Sequence, residues 1–152
     1  MLYRKAKISD VEAIHKLISN YAEQGLMLGR SRALLYEGLR EFTVAEIDGR
    51  VIAMAGLHII WEDLAEVRAL AVDPDYVKAG VGRGLIEQLI AEARDLEIPR
   101  LFALTYQPGF FNKCGFHQVS KDDLDRKVWK ECINCPKFPN CDENAMVLDL
   151  KD

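Results

Sequence analysis

The sequence predicts an α+β fold, in which a mixed central sheet is flanked by helices. Three observations support this fold class. Strand-like and helix-like segments follow one another in the order β-α-α-β-β-β-α-β-α-β-β. An Asp48-Gly49 pair separates two strand-like runs, as is typical of a tight hairpin turn. A strand that stops at Pro74 leads through several glycines into an amphipathic helix.

The first half of the chain contains two predicted helices between a strand and a hairpin. The predicted strand Leu2–Lys7 is followed by a capping box, in which Ser9 and Glu12 satisfy each other's free amides. The helix that starts there runs to about Glu23. A second helix runs from Ser31 to about Glu41 and buries three leucines. These leucines are Leu34, Leu35 and Leu39, and the hairpin strands are 42–47 and 51–60.

The second half alternates strands with helices. The helix 81–96 carries an apolar stripe that is suited to packing on a sheet. A short helix, 108–113, is closed by Gly115, and residues 122–130 form a further helical segment. The remaining predicted strands are 65–72, 100–105, 116–119 and 145–150.

Length and composition indicate one globular domain, residues 1–152. Of the 152 residues, 49% are hydrophobic and 29% are charged, which is enough for a full core. The net charge of -4 is spread along the chain and gives no basic surface for nucleic acid or for an anionic membrane. No apolar run approaches the ~20 residues of a membrane span, and no signal-peptide core is present. We therefore expect a cytoplasmic protein with no nucleic-acid or membrane partner.

The segment between the predicted strand 65–72 and the predicted helix 81–96 has the features of a phosphate-binding loop. Asp73-Pro74 ends the strand, and Lys78, Ala79, Gly80, Val81, Gly82, Arg83 and Gly84 open the helix. Free backbone amides and the helix dipole attract anions there, and glycine lets them approach closely. A Walker A loop would continue with Lys-Ser or Lys-Thr, and a dinucleotide fingerprint would place glycine at Leu85. The spacing excludes both and predicts a different pyrophosphate-bearing ligand.

The spacing of Gly80 and Gly82 resembles the Gln/Arg-x-x-Gly-x-Gly/Ala signature of the GNAT acetyltransferases. Val77 departs from it, because the family usually has glutamine or arginine there. The resemblance implies the GNAT fold and acetyl-CoA as co-substrate. It places the pyrophosphate on main-chain amides of residues 78–84, with Lys78 and Arg83 assisting. The pantetheine arm lies along the main chain of Leu70, Ala71 and Val72, and Asn112 hydrogen-bonds the cofactor.

Further segments resemble the acetyltransferase domain of N-acetylglutamate synthase in its short stand-alone form. They include 28–32, 41–44, 56–58, 61–66, 100–105, 110–111 with 115–116, 127–129 and 132–143, so the resemblance extends along nearly the whole chain. This resemblance implies L-glutamate as the acceptor and a place in arginine biosynthesis. Arginine feedback of the kind carried by the amino-acid-kinase-like domain of longer synthases is not expected. GNAT relatives are often dimers, so a homodimer is an open alternative.

Acetyl transfer to an amine requires a base, because an α-amine with a pKa of about 7.7 to 8.0 is mostly protonated at neutral pH. Glu66 is the first candidate, since it matches the glutamate before the cofactor strand in the synthases. The alternative is an exposed glutamate paired with Arg68. His58 is the rival base, or else a hydrogen-bonded interior histidine. Phe111 stands where many GNAT enzymes have a tyrosine that protonates the thiolate, and phenylalanine has no proton to donate.

The two carboxylates of glutamate call for two cationic anchors. Arg30 is the first, by its match to the Arg-Ser pair of the synthases, and Lys127 and Arg68 compete to be the second. Thr105 is placed to bond the α-carboxylate or a proton-relaying water. For each cation the alternative is a solvated surface charge.

The cysteines leave two interpretations open. Cys132, Cys135 and Cys141 are spaced as three ligands of a structural zinc, with Cys114 or His117 as the fourth. Alternatively they are reduced thiols in a loop around Pro136 and Pro139 that closes over the acceptor site. We assign no metal from the sequence. Two rival functions also stay open: acetylation of another amine, such as glutamine or a protein N-terminus, and a non-catalytic module that binds acetyl-CoA or zinc.

Overall fold

The computed structural model describes residues 1–120 and 144–150. In this part of the chain seven strands and four α-helices follow one another in the predicted order. They are β1 (Leu2–Lys5), α1 (Val11–Glu23), α2 (Arg32–Glu37), β2 (Phe42–Ile47), β3 (Arg50–Trp61), β4 (Leu64–Val72), α3 (Val81–Asp95), β5 (Arg100–Thr105), α4 (Pro108–Lys113), β6 (His117–Val119) and β7 (Asn144–Asp149). The predicted helix 122–130 lies outside the described residues.

The strands form one mixed sheet in the order β1-β2-β3-β4-β5-β7-β6. Antiparallel pairing joins β1 to β2, β2 to β3, β5 to β7 and β6 to β7. β4 and β5 are parallel, because the chain crosses over through α3 between them, and their pairing joins Ala65 to Leu101 and Glu66 to Phe102. The predicted mixed sheet is confirmed.

The chain divides into two compact units, each with its own apolar cluster. The first unit consists of Met1–His58 and Val67–Glu92, and the second of Ile59–Glu66 and Ala93–Asp152. In the first unit, the inward face of α1 packs against Phe42, Val44 and Met54 of the hairpin. In the second, Phe102 and Val147 form the centre of the cluster.

The start of α1 differs from the predicted capping box. The carboxylate of Asp10 accepts the Lys7 amide at 2.7 Å and also holds Arg4, whose Nη1 lies 2.7 Å from Oδ2. Residues 8–10 form a 3-10 turn before the helix. Glu12 does not cap, because its carboxylate pairs with Arg32 across 2.8 Å. The predicted capping box is wrong, because Asp10 binds Arg4 and Glu12 binds Arg32. These arginines come close to the two carboxylates only in the folded chain.

The second predicted helix is shorter than expected. Ser31 caps it by accepting the Leu34 amide at 3.2 Å, but Gly38 ends α2, and residues 39–41 form a separate 3-10 turn. Leu35 is fully buried as predicted, whereas Leu34 is 52% exposed. None of the described helices is both long and apolar enough to cross a membrane.

Candidate active site

The segment that connects β4 to α3 is a helical turn and not the open glycine loop that the sequence predicted. Residues 74–79 form a 3-10 helix with Pro74 at its start. Asp73 caps this turn, because its Oδ1 accepts the Asp75 amide at 2.9 Å. Its Oδ2 lies 3.1 Å from the Arg50 guanidinium. Asp73 therefore links this turn to Arg50 of β3.

Gly80 is the residue at which the chain changes direction into α3. Its φ is 77°, a left-handed conformation that favours glycine, and a Cβ built on it would meet nothing within 4 Å. The Gly84 amide donates to the Gly80 carbonyl at 3.1 Å, which is the first bond of the 15-residue helix. The amides of residues 81–83 precede that bond and lie at the positive end of the helix dipole. Open space beside such amides suits an approaching phosphate.

Gly84 has a different reason to be glycine. A Cβ at this position would overlap the hydroxyl and ring of Tyr3 from β1. The Tyr3 hydroxyl lies 3.5 Å from the Val81 carbonyl, at the first residue of α3. Because its own amide bonds within the helix, Gly84 contributes close packing between β1 and α3. The phosphate-binding role of Gly84 stays a prediction.

We expect Gly84→Ala to lower the free energy of unfolding by about 1–3 kcal/mol, because the new methyl group must displace Tyr3. Denaturant titration measures this free energy. Gly109→Ala is the matched control, because it lies in a helix with nothing within 4 Å of the added Cβ. A double-mutant cycle with Tyr3→Val should recover most of the loss. Strictly additive effects of the two substitutions would contradict the packing explanation.

The charged side chains of this segment lie at the surface. Lys78 and Ala79 are exposed. The exposed Arg83 pairs with Glu87 one turn further along α3, with 3.7 Å between Nε and Oε1. An exposed pair of this kind is weak and can exchange partners readily.

The end of β4 is anchored to α1 by a tyrosine side chain. The Tyr21 hydroxyl donates to the Val72 carbonyl at 2.6 Å. Burial and the charge of Asp73 raise the pKa of Tyr21, so the hydroxyl keeps its proton. Ala71 is buried in the first unit's core, and Leu70 and Val72 are partly buried. Ala69, with φ of 56°, interrupts the regular strand conformation just before them.

Charged side chains in the first unit gather around Glu41, the last residue of the 3-10 turn before β2. The Oε2 atom of Glu41 lies 2.8 Å from Nδ1 of His58 on β3. Burial raises the pKa of Glu41, but the hydrogen bond and charge of His58 and the positive charges of Arg68 and Arg30 outweigh it. The pKa of Glu41 therefore lies below its ordinary value.

Arg30 and Arg68, both of which are predicted acceptor-binding residues, thus lower the pKa of Glu41. Arg68 is only 8% exposed, so the interpretation of this arginine as a solvated surface charge is wrong. Arg30 is partly buried. Sequence analysis considered His58 alone and did not single out Glu41. The sequence carries little sign of the Glu41–His58 contact, because the two residues are 17 positions apart and no local pattern links them.

The second unit contains the other predicted catalytic residues. Glu66 lies on β4 opposite Phe102 and is partly exposed. Thr105, at the end of β5, is 9% exposed, and its Oγ1 accepts the Gln107 amide at 2.8 Å. That bond uses Oγ1 as an acceptor, so the hydroxyl can still donate.

The short helix α4 presents Asn112 to solvent and buries Phe111. The Phe111 ring packs edge-on against Phe110 and Phe116, with centroids 5.2 Å and 5.1 Å apart. Phe111 is therefore a packing residue. Lys127, Cys132, Cys135 and Cys141 lie outside the described residues.

Comparison with known proteins supports this fold and this segment order. The family model for the acetyltransferase (GNAT) family matches residues 11–116. An uncharacterised N-acetyltransferase of Chlorobaculum tepidum is 37% identical over 147 residues, which are 97% of this chain and 95% of that protein. An amino-acid acetyltransferase of Mycobacterium tuberculosis is 37% identical over 131 residues, covering 84% of this chain and 75% of that protein.

Two solved structures match almost the whole chain. A Mycobacterium tuberculosis protein in complex with CoA and NLQ aligns with a TM-score of 0.86 and 33% identity over 99% of this chain and all of that one. The N-acetylglutamate synthase of Neisseria gonorrhoeae, complexed with coenzyme A and N-acetyl-glutamate, aligns with a TM-score of 0.90 and 31% identity. That match covers 99% of this chain and 35% of the synthase. GNAT enzymes take acetyl-CoA as their co-substrate. Because that family model matches more than half of the chain, this protein belongs to the GNAT acetyltransferases.

Proposed function

We propose that this protein transfers the acetyl group of acetyl-CoA to the α-amine of L-glutamate, giving N-acetylglutamate and CoA. The observation that carries this proposal is the pair of guanidinium groups, Arg30 and Arg68, that act on one carboxylate in the first unit. Two arginines suit an acceptor with two carboxylates, because each guanidinium can bind a carboxylate through two parallel hydrogen bonds. The likeness to the Neisseria synthase supports the same acceptor.

The co-substrate is assigned to the segment 78–84 and the strand before it. The amides of residues 81–83 receive the pyrophosphate, and the left-handed Gly80 leaves room for it. Main-chain groups of 70–72 hold the pantetheine arm. Lys78, Arg83 and Asn112, all of which are exposed, add contacts at the surface. Both compact units belong to one acetyltransferase domain, residues 1–152.

The acceptor nitrogen loses two protons in all, one before the attack and one from the tetrahedral intermediate, and the CoA thiolate takes up one. Glu66 takes a proton from the ammonium form of the acceptor, directly or through a water held by the Thr105 hydroxyl. The amine nitrogen then forms a bond to the thioester carbonyl carbon. The nitrogen of the tetrahedral intermediate gives up its second proton to water, the carbon–sulfur bond breaks as the intermediate collapses, and the CoA thiolate takes up a proton from water. A thiolate with a pKa of about 8.5 leaves without a dedicated acid, which fits the packing role of Phe111.

Glutamine is the second candidate acceptor. It presents the same α-amine and α-carboxylate as glutamate but no side-chain charge. The observation that favours it is Glu41, because this carboxylate offsets part of the positive charge of Arg30 and Arg68.

Release of CoA thiol from acetyl-CoA, measured against a panel of the twenty amino acids, tests the proposal. We expect release to depend on glutamate, with glutamine as the next best acceptor and no release without an amino acid. A protein that binds CoA tightly but releases no thiol with any of the twenty would be a non-catalytic module. Release with a different amino acid alone would keep the enzyme class and overturn the acceptor.

A further inference from the structure

The last residues of β4 follow an interruption in the strand at Ala69. Its φ of 56° is a left-handed conformation that alanine disfavours, and such a conformation persists only where surrounding contacts hold the chain. Two hydrogen bonds just beyond Ala69 supply contacts of this kind. The Tyr21 hydroxyl of α1 donates to the Val72 carbonyl at 2.6 Å. The Asp73 amide donates to the Ile52 carbonyl of β3 at 2.7 Å.

These two hydrogen bonds lie on opposite edges of β4. The main-chain groups of consecutive residues in an extended strand face opposite ways, so the bond from Asp73 to β3 turns the amide and carbonyl of Val72 away from β3. Among the described residues, β5 pairs with β4 only at Ala65 and Glu66. Val72 therefore presents its amide and carbonyl on an edge of β4 that β3 does not cover, and the Tyr21 hydroxyl reaches that edge from α1.

Apolar packing does not account for the hydroxyl of Tyr21. The side chain is partly buried and packs against the apolar cluster of the first unit, where a phenylalanine ring would fill the same space. A hydroxyl in such surroundings costs free energy unless it is hydrogen-bonded, and its hydrogen bond goes to Val72. A carbonyl oxygen has two lone pairs, so Val72 can accept a second donor while Tyr21 fixes the direction of its peptide group.

We infer that Tyr21 is a positioning residue for acetyl-CoA, whose hydroxyl fixes the Val72 peptide group on the edge of β4 that receives the pantetheine arm. This inference rests on the proposed function, in which residues 70–72 hold that arm, but not on the identity of the acceptor. Tyr21 acts through Val72. Its loss therefore weakens the pantetheine contacts and leaves the diphosphate contacts of residues 81–83 unchanged.

Tyr21→Phe removes the hydroxyl and keeps the ring. Calorimetric titration with two ligands tests its effect: CoA, and 3′-phospho-ADP, which is CoA without its pantetheine arm. We expect Tyr21→Phe to raise the Kd for CoA about fivefold, the usual effect of one hydrogen bond, and to leave the Kd for 3′-phospho-ADP within about twofold of the wild type. Tyr36→Phe is the matched control, because Tyr36 is an exposed tyrosine of α2, and neither Kd should change.

A second measurement uses the wild-type protein, so it does not depend on the folding of a variant. Hydrogen exchange at the Val72 amide should slow when CoA is added and should stay unchanged with 3′-phospho-ADP. In turnover, Tyr21→Phe should raise KM for acetyl-CoA about fivefold and leave KM for the amino acid within about twofold of the wild type.

A tyrosine that only stabilises the fold would not distinguish the two ligands. Equal losses of affinity for CoA and 3′-phospho-ADP, or no loss for CoA, would therefore overturn the inference. A Val72 amide that does not respond to bound CoA would overturn it as well. A wild-type protein that does not bind CoA would overturn the proposed function and the inference with it. Thiol release with none of the twenty amino acids would overturn the proposed activity alone, because these binding measurements need no acceptor.

Discussion

Replacing Glu66 with glutamine is expected to lower kcat by about 10²- to 10⁴-fold, the usual effect of losing a general base. Glutamine has the shape of glutamate but cannot take a proton from the ammonium group. The acceptor amine is mostly protonated at neutral pH, so the variant must use the small fraction that solvent has already deprotonated. CoA binding should stay within about twofold of the wild type, because the substitution adds no bulk and leaves the β4 main chain unchanged.

The pH dependence of kcat separates this role from a structural one. In the wild type, the rate should fall at low pH, where the base is protonated. In Glu66→Gln that dependence should be replaced by a rate that keeps rising with pH as the free amine itself loses its proton. Glu62→Gln is the matched control, because Glu62 is an exposed glutamate in the turn before β4. If Glu66→Gln keeps the wild-type pH profile, Glu66 is not the base, and His58 becomes the candidate base.

The order of elements was predictable because the signals that set it are local. Apolar periodicity predicted α1 and α3, and the Asp48-Gly49 pair predicted the hairpin turn, where both residues have positive φ. The α4 helix and the strand bounds of β5 also agree with the sequence. The errors occur where a distant partner decides the local structure. The Asp10 carboxylate binds Arg4 and accepts the Lys7 amide ahead of the 3-10 turn, and Glu12 is paired with Arg32.

The candidate site was predictable in part for the same reason. The segment 78–84 was predicted to bind the cofactor from its glycine spacing and its resemblance to the GNAT signature, but the packing of each glycine in the fold was not predicted. Gly80 provides a left-handed turn beside open space, whereas Gly84 makes room for Tyr3, which lies 81 positions earlier in the chain. The contacts of Tyr21 with Val72 and of Glu41 with His58 are also long-range. Pairs of this kind leave no periodic pattern, so only the folded chain reveals them.

Arg30→Ala is expected to lower kcat/KM for glutamate by about 10²-fold, or roughly 3 kcal/mol, mainly through a higher KM. The reason is that one of the two carboxylates of the acceptor would enter a partly buried site and lose its guanidinium partner. Binding of this kind is similar in the ground state and the transition state, so KM changes more than kcat. The measurement is the rate of CoA thiol release over a range of glutamate concentrations at saturating acetyl-CoA.

Arg32→Ala is the matched control for this prediction. Arg32 lies two residues further along the chain, but its guanidinium is exposed and pairs with Glu12 across 2.8 Å. An exposed pair contributes little, so kcat/KM should stay within about twofold of the wild type. The charge of Arg30 also lowers the pKa of Glu41, so Arg30→Lys is an informative third variant. It keeps the positive charge near Glu41 but cannot bind a carboxylate through bidentate hydrogen bonds. Equal KM values in Arg30→Ala and Arg32→Ala would show that Arg30 does not bind the acceptor.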